Sequence, residues 1–449
     1  MLKPTTKIKL MVSVAMTCAL LAVPSFADSQ ARIVRLSDVE GDVQIDRNTG
    51  QGYEKAFLNL PITAGTKLRA NKDGRAEVEF EDGSTLRITP GTVVGFPELS
   101  MRDSGDKVSI VDLQDGTAYV NFAGSKGDGF TLNFGREALA LTNSAHVRVS
   151  MGDTQATLAV FKGDVQADGP SGVVRVGSKQ SATFDLTGED KYTLAKNLEQ
   201  DPYDSWDKQQ QEYHERYASN SSYGNSYSGN SYGGNSYSYG MSDLNYYGNY
   251  VNAPGFGMMW QPYFAGVGWD PFMNGSWVYY PGYGYTWVSA YPWGWMPYRY
   301  GSWNYVPGYG WGWRPGTSYR AWNTVPRLVN PPQGYTQLQP PTTPGGTVVV
   351  NRGPWVNPGG TGKKMVIPND SAGLGIPRGG IHDMGKVSQQ VRQQGSVTTT
   401  VHPIALPAAP PRAMTPATRS TVPTHTSPPR MSTPTPHATP TPHTSPQKQ

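Results

Sequence analysis

The chain has 449 residues, a formal net charge of +4 and a single cysteine, Cys18. The part of the chain that follows Cys18 contains no cysteine, so it can form neither a disulfide nor a thiolate zinc site and has no thiol nucleophile. The charge is unevenly distributed, since residues 28–200 contain 25 acidic and 19 basic residues, whereas residues 323–449 contain 11 basic and 2 acidic ones.

The first 27 residues have the pattern of a secretory signal peptide. Lys3, Lys7 and Lys9 precede an apolar run from Leu10 to Val23, and a Ser25-Phe26-Ala27 triplet typical of a cleavage site follows. The run has about 14 residues, fewer than the roughly 20 that span a bilayer, and no later stretch approaches that length. We therefore expect an exported protein, periplasmic or at the cell surface, with no transmembrane segment in the mature chain.

Residues 28–200 alternate polar and apolar side chains in short segments between Gly, Asp and Asn turns. In residues 76–88, Ala76, Val78 and Phe80 face one side and the intervening glutamates face the other, while Asp82-Gly83 suits a tight hairpin turn. The pattern predicts a mainly β fold, a sandwich or a rolled sheet.

Several strand openings in this region carry a resemblance. Gly41-Asp42-Val43, the hairpin over residues 76–88, Gly116-Thr117-Ala118 and Gly163-Asp164-Val165 occur in an order that resembles a FecR domain. The resemblance implies a periplasmic domain that receives a signal from an outer-membrane transporter, in a family whose cytosolic tail controls a sigma factor. This chain has a signal peptide where that family has its cytosolic tail and membrane helix.

One short helix and a spacer are predicted next. Asp201-Pro202 suits a helix start, and we assign residues 201–218 to a connecting helix. We expect its aromatic stripe to dock on a neighbouring sheet; the stripe consists of Tyr203, Trp206, Tyr213 and Tyr217. Residues 219–240, in which Gly-Asn-Ser-Tyr recurs, are predicted to be a low-complexity disordered linker.

Residues 241–322 contain an aromatic sequence that occurs twice. One pattern runs from Pro271 to Trp287 and again from Pro297 to Trp313, and ten of the twelve tryptophans lie between Trp260 and Trp322. The pattern predicts a small domain built from a duplicated β-hairpin. The sequences of residues 243–248, 257–262 and 291–301 resemble an uncharacterised Trp/Tyr/Gly-rich domain that often follows FecR domains in secreted bacterial proteins.

The tryptophans of this domain have two interpretations. In a small domain with few aliphatic residues the rings can form the core, and any that remain exposed can stack on sugars or contact peptides. We expect Trp293 and Trp295 to be exposed, because alternate residues in the link between the two hairpins share a face. The candidate ligand-binding or partner-binding residues are Trp293, Trp295, Trp277, Trp303 and Trp311.

Residues 323–449 hold 23 of the 38 prolines and are predicted to form a long, basic, disordered tail that could contact an anionic surface. We expect no nucleic-acid partner, no cofactor and no metal site. His146 is predicted to lie on a strand near the sheet surface. The chain has no nucleophile-elbow, zinc-protease, phosphate-loop or dinucleotide fingerprint, so we predict that it is not an enzyme.

Three functions follow, in order of preference. The first is a non-enzymatic envelope protein that binds or scaffolds polysaccharide, peptidoglycan or an envelope protein. The alternative is an accessory sensory or regulatory protein that uses the FecR-like domain for protein–protein signalling. The third is a hydrolase whose site has no recognisable motif.

Overall fold

The structure is a computed structural model. It describes residues 32, 34–124, 126–170, 172–218, 240–319, 327–354, 356, 363–402 and 404. The predicted signal peptide and all but the last residue of the predicted linker lie outside the described residues. Among the helices that the structure describes, none is both long enough and apolar enough to cross a membrane.

Residues 34–195 form two nine-stranded sheets. Their strands are β1 (Val34–Glu40), β2 (Val43–Asp46), β3 (Glu54–Lys55), β4 (Pro61–Ile62), β5 (Lys67–Ala70), β6 (Arg75–Glu79), β7 (Thr85–Ile88), β8 (Val93–Met101), β9 (Lys107–Asp115), β10 (Thr117–Phe122), β11 (Gly129–Phe134), β12 (Glu137–Leu141), β13 (Ala145–Met151), β14 (Gln155–Lys162), β15 (Val165–Gly169), β16 (Gly172–Val176), β17 (Gln180–Asp185) and β18 (Tyr192–Ala195). Sheet A has the order β18-β17-β14-β13-β10-β7-β6-β1-β4, and sheet B has the order β16-β15-β12-β11-β9-β8-β5-β2-β3.

The two sheets face each other across an apolar core, so this part of the chain is a sandwich. Phe80 and Phe130 meet edge to face with ring centroids 5.2 Å apart, and Phe134 and Phe184 do the same at 5.6 Å. The strands pair antiparallel except β9 and β11, which run parallel. The mainly β fold predicted from the sequence is therefore confirmed, and of the two expected forms, a sandwich or a rolled sheet, the structure has the sandwich.

The hairpin predicted at residues 76–88 is present as β6 and β7. The N–H of Gly83 donates to the C=O of Phe80 at 2.9 Å, and Gly83 has a φ of 85°, which a glycine adopts without strain. Val78 lies opposite Leu86 on the core side. Glu77 and Glu79 point to the other side of sheet A, where they are fully buried.

The described residues from 240 to 404 form what we call the aromatic module. Its elements, preceded by the connecting helix α1 (Asp204–Ala218), are α2 (Met241–Tyr247), β19 (Gly248–Ala253), β20 (Gly257–Pro262), β21 (Asn274–Tyr280), β22 (Gly284–Ser289), α3 (Met296–Arg299), β23 (Tyr300–Val306), β24 (Gly310–Tyr319), β25 (Arg327–Val329), β26 (Val348–Asn351), β27 (Lys363–Pro368), α4 (Met384–Gln394) and β28 (Ser396–Val401). Its sheets have the orders β19-β20-β24-β23-β25, β22-β21-β26 and β27-β28.

The duplicated hairpin is confirmed. Trp277 lies opposite Trp287 on β21 and β22, and Trp303 lies opposite Trp313 on β23 and β24. Both turns have Pro then Gly at their centre, with a φ of 80° at Gly282, the arrangement of a type II turn. The connecting helix is also confirmed, although it begins at Asp204 and the Asp201-Pro202 pair precedes it.

The sequence predicted one helix and a disordered tail from residue 323, and both predictions were wrong. The described residues contain four helices, and helices and strands continue as far as Val401. Strand β26 pairs with β21, and the side chains of Leu374 and Ile376 are buried. The proline content concealed these elements, because prolines here lie mostly between the strands and helices. Residues 405–449 lie outside the described part of the chain.

Candidate functional site

The five tryptophans expected to bind a ligand or partner are all buried. The exposed fractions are 0% for Trp293 and Trp303, 1% for Trp277, 2% for Trp311 and 3% for Trp295. The expected exposure of Trp293 and Trp295 was therefore wrong, and the interpretation of these rings as core is the one that the structure supports. None of the five offers an indole face to a sugar.

Trp293 is at the centre of the aromatic core. Its ring stacks on Tyr291 with centroids 4.9 Å apart and lies 5.0 Å from Trp260 and 5.9 Å from Trp303. Its indole N–H donates to the C=O of Ala372 at 2.8 Å. Ala372 belongs to the segment predicted to be disordered, so the covering of Trp293 comes from residues distant in sequence.

The glycine of each repeated Gly-Ser-Trp triplet allows the backbone to approach an indole. A Cβ added to Gly275 would lie 2.4 Å from a ring carbon of Trp287. A Cβ added to Gly301 would lie 2.1 Å from the C=O of Arg314 and 3.0 Å from the indole nitrogen of Trp313. The repeat is therefore explained by close packing within the core.

The most unusual site lies where sheet A, α1 and the aromatic module meet. There the outer face of sheet A is charged yet buried, because α1 and α2 cover it. We call this site the buried charge network, and it consists of Arg35, Glu77, Glu79, Arg87, Asp207, His214, Asp243 and Arg378. All eight side chains are at least 93% buried.

Glu77 is the central acceptor of the network. Its carboxylate accepts hydrogen bonds from Arg87 Nε at 2.8 Å and from Arg378 Nη1 at 2.8 Å. His214 Nε2 lies 2.9 Å from the same carboxylate, and the hydroxyl of Ser37 donates to it at 2.7 Å. One side chain of the sandwich is thus bonded to the connecting helix and to the aromatic module.

Asp243 makes the corresponding contacts from the aromatic module. Its carboxylate accepts two hydrogen bonds from Arg378, at 2.9 and 2.8 Å, and is bonded to Arg35 of β1. Tyr213 of α1 donates to it at 2.9 Å. Arg378 therefore joins the carboxylates of Glu77 and Asp243, which belong to the sandwich and to the aromatic module.

The helix α1 adds a second row of charged contacts on sheet A. Arg87 Nη1 donates to Asp207 at 2.7 Å, and His146 Nε2 lies 2.8 Å from the other oxygen of that carboxylate. Farther along, the hydroxyl of Tyr119 donates to Asp204 at 2.9 Å. His146 lies on β13 as predicted, and its partner is a structural carboxylate.

Burial and the surrounding cations shift several pKa values in opposite directions. Desolvation acts to raise the pKa of Glu77, but His214, Arg378 and Arg87 outweigh it and hold this pKa well below its usual range. The pKa of Asp243 is likewise lowered, because Arg378 and Arg35 outweigh its desolvation. The partly buried Asp38 differs, since desolvation and then the charge of Glu40 raise its pKa to about 7.

This arrangement binds charged groups to one another and presents none of them to a substrate. The carboxylates of Glu77, Asp207 and Asp243 all contact arginine, and within the described residues no group of three or more His, Cys, Asp or Glu is placed to hold a metal ion. The network is best described as a polar junction between two folded parts of the chain.

Sequence reasoning missed the network for a specific reason. Glu77 and Arg378 are 301 residues apart, and Arg35 and Asp243 are 208 apart. The signal in the sequence was the alternation of glutamates on the non-core side of β6, where Glu77 lies opposite Arg87 of β7. Charged residues on the outer face of an interior strand suggest that a polar cover lies above them.

Two regions of the chain match known families. Residues 66–166 match the family described as FecR protein, and residues 241–340 match a family of unknown function, DUF6600. The chain therefore contains a FecR domain followed by a DUF6600 domain, in the order that the sequence predicts. No curated protein matches the chain.

Two solved structures resemble part of the chain. Both are crystal structures described as a "putative anti-sigma factor" from Parabacteroides distasonis ATCC 8503, with 20% and 18% sequence identity. Each match covers 31% of this chain and 63% of that chain, with a TM-score of 0.27. Each match thus spans less than two thirds of the solved structure.

Proposed function

We propose that the protein is an exported, non-catalytic regulatory protein whose FecR domain contacts another envelope protein. The DUF6600 domain is held to the FecR domain, and the two move as a single unit. The match of residues 66–166 to the FecR family supports the regulatory part of this proposal, and the buried charge network supports the coupling of the two domains. It connects the FecR domain to the DUF6600 domain through Arg378, which donates to Glu77 of one and Asp243 of the other. A contact made on the FecR domain is therefore mechanically coupled to the aromatic module.

The network also limits where a partner can bind. On sheet A, α1 and α2 cover the outer face of β6 and β7, whereas part of the outer face of sheet B is exposed. Ala140, Gln166 and Arg175 lie side by side on β12, β15 and β16 and are all exposed. We therefore place the partner contact on sheet B.

The five buried tryptophans give no support to the envelope-polysaccharide function. A sugar platform needs at least one accessible ring face, and the residues chosen for it form the core. Contact between the basic tail and an anionic surface stays a prediction, to be tested by removing residues 405–449 and comparing surface binding across a salt series.

The regulatory proposal is tested by transcript profiling in a strain that lacks the protein. We expect a restricted set of transcripts to change and to be restored by the wild-type chain. A photoreactive residue in place of Gln166 should capture one envelope protein, and the same residue in place of the exposed Thr154 serves as the control. If no transcript depends on the protein, while wild-type protein is retained on purified cell wall, the regulatory proposal is wrong and the scaffold function replaces it.

A further inference from the structure

We propose that β18, at the edge of sheet A, is a self-association site that pairs with β18 of a second copy of this chain. The two ends of sheet A differ in how they are covered. At one end, the hydroxyl of Tyr280 in the aromatic module donates to the C=O of Pro61 in β4 at 2.7 Å. At the other end, β18 pairs only with β17 among the described strands.

This edge of sheet A exposes apolar side chains. Tyr192 is 42% exposed and Leu194 is 55% exposed, although both lie on the core side of the sheet, opposite the buried Phe184 and Ala182. They continue the apolar core face of sheet A beyond its last buried residues. Exposed edge strands of this kind are prone to pair with another strand.

The backbone of β18 is oriented for such pairing. The N–H of Asp185 donates to the C=O of Lys191 at 2.9 Å, and Thr193 lies opposite Thr183 in the same register. Because alternate residues of an antiparallel strand point their N–H and C=O groups to opposite sides, those of Tyr192 and Leu194 point away from β17. They are the groups that a further strand would bind.

The sequence of β18 fits a second copy of itself in one antiparallel register. With Thr193 on the two-fold axis, Tyr192 of each copy lies opposite Leu194 of the other, and both are on the core side. The register also places Lys196 of each copy beside the turn of the other copy that carries Glu189 and Asp190. No like charges oppose each other in this register, so the pairing is complementary in charge.

The expected association is weak, because a four-residue strand buries far less than the roughly 800 Å² per partner of a stable interface. A crosslink captures such an equilibrium. In this register Thr193 is a non-hydrogen-bonded pair, whose Cα atoms lie about 4.5 Å apart, within the range that a disulfide accepts. The chain from residue 28 contains no cysteine.

The test compares Thr193→Cys with Thr154→Cys, an exposed threonine in the turn between β13 and β14, under mild oxidation. We expect Thr193→Cys to form a disulfide-linked dimer at least about tenfold faster than Thr154→Cys does, because pairing of the strands raises the effective concentration of the two thiols. Equal rates for the two variants would overturn the proposal.

Sedimentation of the cysteine-free chain gives an independent measurement. We expect a concentration-dependent dimer that Leu194→Lys abolishes and that Val267→Lys, at a 71% exposed valine of the aromatic module, leaves unchanged. A wild-type chain that stays monomeric, or a dimer insensitive to Leu194→Lys, would show that β18 is not the interface. Both measurements use purified protein, so their outcome is independent of the proposed regulatory function.

Discussion

The central prediction concerns Glu77→Gln. The carboxylate of Glu77 accepts from two arginines and a serine and contacts His214, and all of these groups are buried. An amide keeps one acceptor oxygen and turns an NH₂ group toward at least one arginine donor, which leaves that buried donor unbonded and removes one of the two carboxylates that Arg87 and Arg378 each contact. Breaking a buried ion pair by changing one partner costs about 3–5 kcal/mol.

The assay is urea unfolding followed by circular dichroism, with Glu212→Gln as the matched control. Glu212 pairs with Lys208 one turn earlier on α1, and its side chain is 52% exposed. Exposed pairs contribute less than about 1 kcal/mol, so the control should resemble the wild type. If Glu77→Gln lowers the free energy of unfolding by less than about 1 kcal/mol, the network does not hold the two domains together.

A double-mutant cycle isolates the contact between the domains. Arg378→Gln alone should also be strongly destabilising, whereas adding it to Glu77→Gln should cost much less, because the two side chains interact directly. The expected coupling free energy is in the range of about 0.5–3 kcal/mol found for residues in one ion-pair network. Additive effects of the two substitutions would contradict a direct contact.

Three further predictions concern pH and packing. The raised pKa of Asp38 means that the folded protein keeps a proton that the unfolded chain releases above about pH 4, so the free energy of unfolding should fall as the pH rises from about 4 to 7. Asp38→Asn should reduce this pH dependence in unfolding curves measured between about pH 4 and 7. An unchanged pH dependence would contradict the prediction. Gly275→Ala should lower the free energy of unfolding by about 1–3 kcal/mol, because its Cβ would overlap Trp287, whereas Gly346→Ala, which meets no atom, should have little effect. Trp293→Ala should cost about 3–5 kcal/mol and weaken the near-ultraviolet circular dichroism of the aromatic core, and a change confined to ligand retention would restore the platform interpretation.

Local sequence signals predicted the local structure well. Asp82-Gly83 and the two Pro-Gly turns determine hairpins because each turn conformation depends on a few adjacent residues. The helix α4 had comparable signals, since Asp383 accepts from the N–H of Lys386 at its start and Gly395 ends it with a φ of 78°. The prolines on either side of it led to a prediction of disorder.

The prediction that Trp293 and Trp295 are exposed was wrong because their burial depends on tertiary contacts. Whether Trp293 is exposed depends on Ala372, some 79 residues later, which covers it and accepts its N–H. A two-residue alternation in Pro-Trp-Gly-Trp carries no information about that contact. Burial of an aromatic residue is decided by the segments that pack on it, and here they come from the part of the chain whose composition favours disorder.

The buried charge network has a consequence for how the two domains are arranged. A purely apolar interface between them would tolerate small shifts, because the hydrophobic effect is not directional. The network does not, because a displaced Arg378 would leave its own charge and the carboxylates of Glu77 and Asp243 buried with unmet hydrogen bonds. The orientation of the DUF6600 domain on the FecR domain is therefore determined by charge geometry. A partner that binds the FecR domain would consequently find the DUF6600 domain held in one fixed orientation.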